Sequence, residues 1–316
     1  MRTSHAQYDG LSMPFILKDL DALYNGIVLA PPARFSEYVE ESERLLSQNK
    51  HAQQFWRQLL QGSEVSPIVA PSKLSSYSLQ KDHPLDQTTI RTIRLSPSTS
   101  DASTTPATII KAAWALVLGR LSQHQDVVFG HLTNTQPRLD HLPAIHEVVG
   151  PCLNVLPVRV QLQPTTTRRE LLNTFQQQYI GALPHSMLGF GEIIDHCTKW
   201  PPTTRLSSIL QEQNPHQDLD SVLLDGATGS LEAYVPASGA ADLWMMVTPT
   251  DNYGAERLHE IKLSYSAATM PSSIADRILD ESADAISFLQ VPHSWGQMNQ
   301  LRWWRYGMMV IWNLHY

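Results

Sequence analysis

Apolar residues recur along this chain with two periods, and the changes between them mark its elements. Leu11, Phe15, Ile16, Leu20 and Leu23 fall near a 3.6-residue spacing ahead of Gly26, which predicts a helix over 11–26. A second helical region covers 34–61, with an apolar side running from Phe35 and Tyr38 to Trp56 and Leu60, a break near Asn49 and a stop at Gly62. Its aromatic residues read as core packing. The strongest helix is ATIIKAAWALVLGRLS, ending at Ser122, with Thr105 as cap and Pro106 at the first helical position. It is apolar on nearly all sides, so burial against a sheet is expected. Further helices are predicted over 167–183 and 271–289.

Strands are predicted at 88–95, 127–132, 148–162, 206–212, 230–235, 242–248 and 258–266. Asp251, Asn252 and Gly254 supply the turn between the last two. Pro157 lies inside the third run and donates no hydrogen bond, so that strand is expected at an edge, at a bulge or switching neighbours. The Ser- and Pro-rich stretch 63–87 reads as a linker. Residues 291–316 depart from everything before them, with Trp295, Trp303, Trp304, Trp312, Met308 and Met309 in 26 residues. Either they form an interfacial or partner-binding segment or they are foreign sequence. Lacking clean amphipathic spacing and spanning length, they read as the latter.

Composition narrows the class. The chain has 316 residues, enough for one and a half to two domains. With 42% hydrophobic and 17% charged residues it can pack a core and is not a disordered chain. The net charge of −7, without any Lys/Arg cluster, argues against a nucleic-acid surface. No run reaches the ~18 apolar residues of a membrane span, and MRTSHAQYDG holds no leader-like apolar core. Cys152 and Cys197 are therefore expected as buried, reduced thiols of a cytoplasmic protein.

The chemistry-bearing residues begin almost at once, in Ser4-His5-Ala6-Gln7-Tyr8-Asp9-Gly10. Alone, a His and an Asp four apart are common on surfaces and caps. Their companions add specificity: Asp126-Val127-Val128-Phe129-Gly130, then Val149-Gly150-Pro151-Cys152-Leu153-Asn154-Val155-Leu156-Pro157-Val158-Arg159-Val160, then Trp200-Pro201 leading into Ser208-Ile209-Leu210. In this order they resemble the condensation domain of fungal nonribosomal peptide synthetases over roughly residues 1–290. Ser4 stands where that family's motif has a first histidine. Ser4, His5 and Asp9, followed by Tyr24, also resemble the terminal, cyclising subtype.

The resemblance implies an α/β fold with mixed sheets, built of two subdomains like chloramphenicol acetyltransferase around a shared channel. Residues 88–290 would form one near-complete C-terminal subdomain. Residues 1–62 would be only the helical end of the other, 63–87 the linker and 291–316 an atypical tail. It also implies carrier-protein domains as partners, delivering thioesters on phosphopantetheine arms, and no directly bound cofactor or metal. The missing N-terminal half or other synthetase modules would be further partners; nucleic acid and membrane would not.

His5 would be the catalytic group. An α-amine titrates near 7.7–8.0, so it is partly free at neutral pH, but a proton must leave it as the tetrahedral adduct forms. An imidazole near about 6.5 can accept that proton or hold the amine in place, and the sequence does not separate these roles. Asp9 could orient His5, as in a triad. The family resemblance makes it structural instead, paired with an arginine, for which Arg138 and Arg159 are candidates. Gly10 would let backbone approach the thioester. Ser4, Tyr24 and Asn154 are candidate channel residues; Tyr24 also fits core packing, and Asn154 also fits a strand residue satisfying backbone groups.

His131, His141 and His146 have no zinc-site spacing. Gly189-Phe190-Gly191 lacks the strand and third glycine of a phosphate loop. No Gly-x-Ser-x-Gly elbow occurs. Three readings remain: a carrier-dependent condensing enzyme, an inactive remnant or carrier-binding fragment, and a coenzyme A-dependent acyltransferase of the same superfamily. The absence of Asp-Phe-Gly-Trp-Gly lowers the last.

Overall fold

The computed structural model describes residue 4 and residues 6–68, 84–95, 104–213, 221–224, 227–230, 241–250 and 257–290. Three helices come first: α1 (Met13–Tyr24), α2 (Phe35–Gln48) and α3 (Ala52–Leu60). Helix α2 ends at Asn49, where ψ turns to 68°, so the predicted break near Asn49 separates two helices. Strands β1 (Gln87–Leu95), β2 (Asp126–Asn134), β3 (Leu153–Gln161), β4 (Leu206–Glu212), β7 (Ala241–Pro249) and β8 (Arg257–Tyr265) form one mixed sheet in the order β1-β8-β7-β4-β2-β3. Pairs β1–β8, β7–β8 and β2–β3 are antiparallel, while β2–β4 and β4–β7 are parallel.

Strand β3 ends the sheet, in agreement with Pro157. Pro157 faces Gly130 on β2. A Cβ on Gly130 would lie 2.6 Å from Leu206 Cδ1, so glycine lets the side chains of β3 and β4 close over that point.

Helix α4 (Pro106–Ser122) packs on one face of the sheet with α5 (Arg168–Ala182) and α7 (Ser272–Gln290). The Thr105 hydroxyl accepts from the N–H of Thr108, and Gln123 closes the helix in the left-handed region. Helix α5 opens with a capping box between Thr167 and Glu170. Trp114, Phe129, Leu210, Leu243 and Ile278 lie in this main core. Val128 alternates with Val127 and Phe129, so it points to the opposite face. There α3 and α6 (Phe190–Cys197) bury Trp56, Leu60, Ile193 and Trp200.

Two departures from expectation concern short elements. In place of a strand at 230–235, β5 (Ser221–Leu224) and β6 (Ala227–Ser230) form an antiparallel pair; 231–235 lie outside the described residues. The signal for it is Asp225-Gly226 between two short runs. Helix α6 was not foreseen because eight residues carry too little periodicity. Most of the 63–87 stretch (69–83) and the whole tail 291–316 lie outside the described residues.

Candidate functional site

The site begins in the loop that enters α1. Asp9 is 2% exposed, and its carboxylate is filled by hydrogen bonds. Oδ1 accepts from the N–H of Leu11 and of Ser12, both at 3.0 Å, and from Ser12 Oγ at 2.9 Å. Oδ2 accepts from the N–H of Cys152 at 2.8 Å. Aspartate suits this place because its short carboxylate can meet backbone donors two and three residues on while a second oxygen stays free. Ser12 precedes α1 as its cap residue, yet its hydroxyl does not cap the helix. It is fully buried and accepts from the N–H of Gly150 at 3.1 Å.

The partner segment, Gly150-Pro151-Cys152, leads into β3 and is held from its other side as well. Thr135 donates to the Cys152 carbonyl through both its N–H (3.0 Å) and its hydroxyl (2.6 Å). Tyr38 OH meets Thr135 Oγ1 at 2.6 Å, which ties α2 to the same point. A Cβ on Gly150 would lie 2.1 Å from Phe35 Cδ2, so a side chain there would displace the ring that seats α2. Burial, followed by the nearby Asp9 charge, pushes the Cys152 thiol up to about 12, so it is no nucleophile at neutral pH.

Of the residues singled out above, His5 lies outside the described residues. Ser4 is exposed; its carbonyl accepts from the N–H of Gln7 at 2.9 Å and its hydroxyl from the N–H of Ala6 at 3.3 Å. Gly10 is exposed and has open space where a Cβ would stand. Asn154 donates to the carbonyls of Ser186 and Leu188, at 2.8 and 2.9 Å. Tyr24 ends α1, about 17 Å along the helix axis from Met13, and is 66% exposed. The structure therefore brings Asp9 to Cys152 and leaves Tyr24 remote from both.

Neither candidate arginine meets Asp9. Arg159 grips Asp126 with two hydrogen bonds (2.8 and 2.7 Å) and donates to the carbonyls of Leu59 and Gln61. Among the described residues no arginine is paired with Asp9, whose partners are backbone N–H groups and one hydroxyl. Oδ1 takes three of these hydrogen bonds and Oδ2 takes the Cys152 N–H, so the carboxylate is satisfied without a guanidinium.

A second polar group sits at the margin of the main core, where Lys111 and His131 are buried and Glu212 keeps 25% of its side chain exposed. Lys111 Nζ on α4 is 3.6 Å from Glu212 Oε1 at the end of β4 and 4.7 Å from the Tyr179 ring centroid. His131 Nε2 lies 3.9 Å from Glu212 Oε2, and its Nδ1 is 3.0 Å from Thr133 Oγ1. Burial lowers Lys111 against the pull of Glu212. His131 is lowered by burial and then by the Lys111 charge. Burial raises the Glu212 carboxyl, but Lys111 and His131 outweigh it and the net direction is down. A lone lysine in an apolar helix was the sequence signal for this group. Among the described residues, no group of three or more His, Cys, Asp or Glu could hold a metal ion. None of the described helices is long and apolar enough to cross a membrane.

The chain is similar to known proteins in sequence and fold. Residues 2–231 match the family model for the condensation domain. The chain is 35% identical over 257 residues to the nonribosomal peptide synthetase apmB of Penicillium brevicompactum, covering 79% of this chain and 10% of that protein. It matches the crystal structure of holo T3CT with a TM-score of 0.69 and 29% identity, covering 92% of this chain and 63% of that one. The starter condensation domain of rhizomide synthetase RzmA shares the fold, with a TM-score of 0.63 and 19% identity over 90% of this chain and 63% of its own. The chain belongs to the condensation-domain family of fungal nonribosomal peptide synthetases. Its mixed α/β sheet is the chloramphenicol-acetyltransferase-like one of those domains.

Proposed function

We propose that this chain supplies the histidine-bearing side of a condensing site, at which an amine or hydroxyl attacks a carrier-bound acyl or peptidyl thioester. The observation that carries the reading is the seating of Asp9, from the His-x-x-x-Asp-Gly motif, on Cys152 of the Val-Gly-Pro-Cys-Leu-Asn block. Two stretches 143 residues apart that resemble the family's motifs meet through a buried carboxylate. His5 would then accept the proton released as the C–N or C–O bond forms, or hold the nucleophile in line. A positioned base is worth about 10²–10⁴-fold. Carrier-protein domains would deliver both reactants on phosphopantetheine arms.

Comparison of His5→Ala with the parent chain on acyl-carrier-protein donors tests this. Product formation should vanish while the thermal melt is unchanged; equal turnover removes the proposal. Running acyl-CoA beside acyl-carrier protein separates the coenzyme A reading, which expects faster transfer from the free thioester.

A second reading, an inactive or carrier-binding fragment, is favoured by α1. Its Leu23 and Tyr24 are exposed, as are Ile27 and Val28 just beyond it, and the chain spans 63% of the T3CT chain. Sedimentation decides between them. A folded monomer that turns over speaks for the first reading. Retained carrier-protein binding without turnover speaks for the second.

A further inference from the structure

We infer that the Gln178 carboxamide stands in for a seventh strand on β3 and keeps a second copy of this chain from pairing along that edge. Among the described residues β3 is the last strand of the sheet, and it is nine residues long. A strand edge of that length is a template for another chain unless something covers it. Val128 and Arg159 face each other across β2 and β3, yet each turns its main chain to another partner. Ser66 donates its N–H to the Val128 carbonyl at 3.2 Å, and its hydroxyl accepts from the Val128 N–H at 2.8 Å. On the other strand, Gln178 Nε2 donates to the Arg159 carbonyl at 2.6 Å, and Gln178 Oε1 accepts from the Arg159 N–H at 3.2 Å. The two residues therefore form a non-hydrogen-bonded pair, so the Arg159 main chain points away from β2, to the edge. A carboxamide carries the same donor and acceptor as a peptide unit. Gln178 uses both on one residue, as a neighbouring strand would.

The rest of that edge shows why one side chain matters. Pro157 is two residues back, points its main chain the same way and has no N–H to offer. Gln161 is two residues on, repeats the Arg159 orientation and is exposed. Beside it, a cleft of about 730 Å³ lies between the end of β3 and α5, with Gln161, Thr165, Thr166, Glu170 and Thr174 in its walls. Thr174 and Glu170 stand one and two turns before Gln178 on the same face of α5. The edge can thus be approached up to the point where the carboxamide begins. Helix α5 is held independently of this contact: Leu171 and Phe175 are buried in the main core, and Gln176 Oε1 accepts from the Thr108 hydroxyl at 2.5 Å. The competing occupant is a second copy, because an antiparallel edge is its own complement about a twofold axis and needs no other sequence.

The test uses the full chain carrying Leu23→Ser and Val28→Ser, so that the apolar side chains exposed around the end of α1 do not supply a separate cause of association. Gln178→Ala is added to it, alone and with Gln161→Lys, which places on the edge the residue that ordinarily blocks strand pairing. Each chain is followed by thermal melt, by amide exchange at Arg159 in dilute solution and by sedimentation velocity over a range of concentrations. Gln178→Ala is expected to melt within about 5 °C of its background. Its Arg159 N–H should exchange about fivefold faster, and its mass should rise toward about two chains with concentration. Adding Gln161→Lys should restore the background's mass. A folded Gln178→Ala chain that associates no more than its background overturns the inference, as does new association that Gln161→Lys leaves unchanged. If Gln178→Ala does not fold, Gln178→Met, similar in length and without the amide, takes its place under the same criteria.

Discussion

Helices α1 and α4 are both rich in apolar residues, and the fold treats them in opposite ways. In α4, thirteen of seventeen residues are buried, Lys111 among them. In α1 only Met13 is buried, although Phe15, Ile16, Leu17, Leu20 and Leu23 follow it. The difference lies in what surrounds them. Helix α4 has the sheet beneath it and α5 and α7 beside it. Helix α1 is fixed at its first turn by the Asp9–Ser12 seat and has β5 nearby, while its far end projects into solvent. Apolar pattern alone forecasts a wish to be covered; the topology decides whether the cover is there. One helix supports the fold, and the other presents a surface suited to further polypeptide.

The sharpest way to break this contrast is in α4. Trp114 is fully buried, and its Nε1 donates to Ser208 Oγ at 3.3 Å. Trp114→Ala is expected to cost about 3–5 kcal/mol in a denaturant titration. A loss below about 1 kcal/mol would show that the core around α4 collapses to fill the space.

Lys111 gives the next effect. Removing it as Lys111→Ala leaves Glu212 beside a neutral His131, and about 1–3 kcal/mol should be lost. Lys111→Met combined with Glu212→Gln should recover part of that, because no charge is then left unpaired. The same cluster sets a pH response. The folded-state pKa of His131 lies below its unfolded value of about 6.5. Below that pH the unfolded chain therefore binds a proton that the folded chain refuses. The contribution is complete above 6.5 and falls away as pH drops through the window beneath it. His185 is lowered as well, by burial and then by Arg138 and His51, so it adds in the same direction. Melting temperature should fall between pH 7.5 and 5.5, and His131→Asn should flatten that fall. An identical slope in the variant would place the proton uptake elsewhere.

How far the sequence was legible follows the same division. Helix α4 matches its predicted span because Thr105, Pro106 and an unbroken apolar run are local signals. Pro157 limited its strand to an edge, a bulge or a switch of neighbours, because its missing N–H cannot serve a regular central ladder, and β3 takes the first of these. The Asp9 partners were not legible: an arginine was expected, and the donor is the backbone N–H of Cys152, which any residue but proline would offer. Nor was Ser12 singled out, since a serine ahead of a helix ordinarily reads as a cap. The Lys111–Glu212–His131 group was missed because its members come from three elements brought together by strand order. Local chemistry survives in a sequence, whereas long-range backbone partners leave no residue-type signature.

Capping offers a smaller effect. Thr105→Ala removes the side-chain acceptor for the Thr108 N–H and should cost about 1 kcal/mol by denaturant titration. A loss under about 0.3 kcal/mol would mean that α4 is held by packing alone, independently of its first turn.

The smallest change in stability is expected in α1 and just after it, where the comparison can be reversed. Leu23 is 57% exposed and Val28 is 92% exposed. Replacing both with serine removes apolar area that is already in water, so folding stability should move by no more than about 0.5 kcal/mol. Association should respond instead, because this face is the apolar surface other chains can cover. In sedimentation velocity the parent should show mass rising with concentration, and the Leu23→Ser/Val28→Ser chain should show less. A double variant that lost more than about 1 kcal/mol while associating as before would mean that α1 contributes to the fold as α4 does, and the contrast between them would collapse.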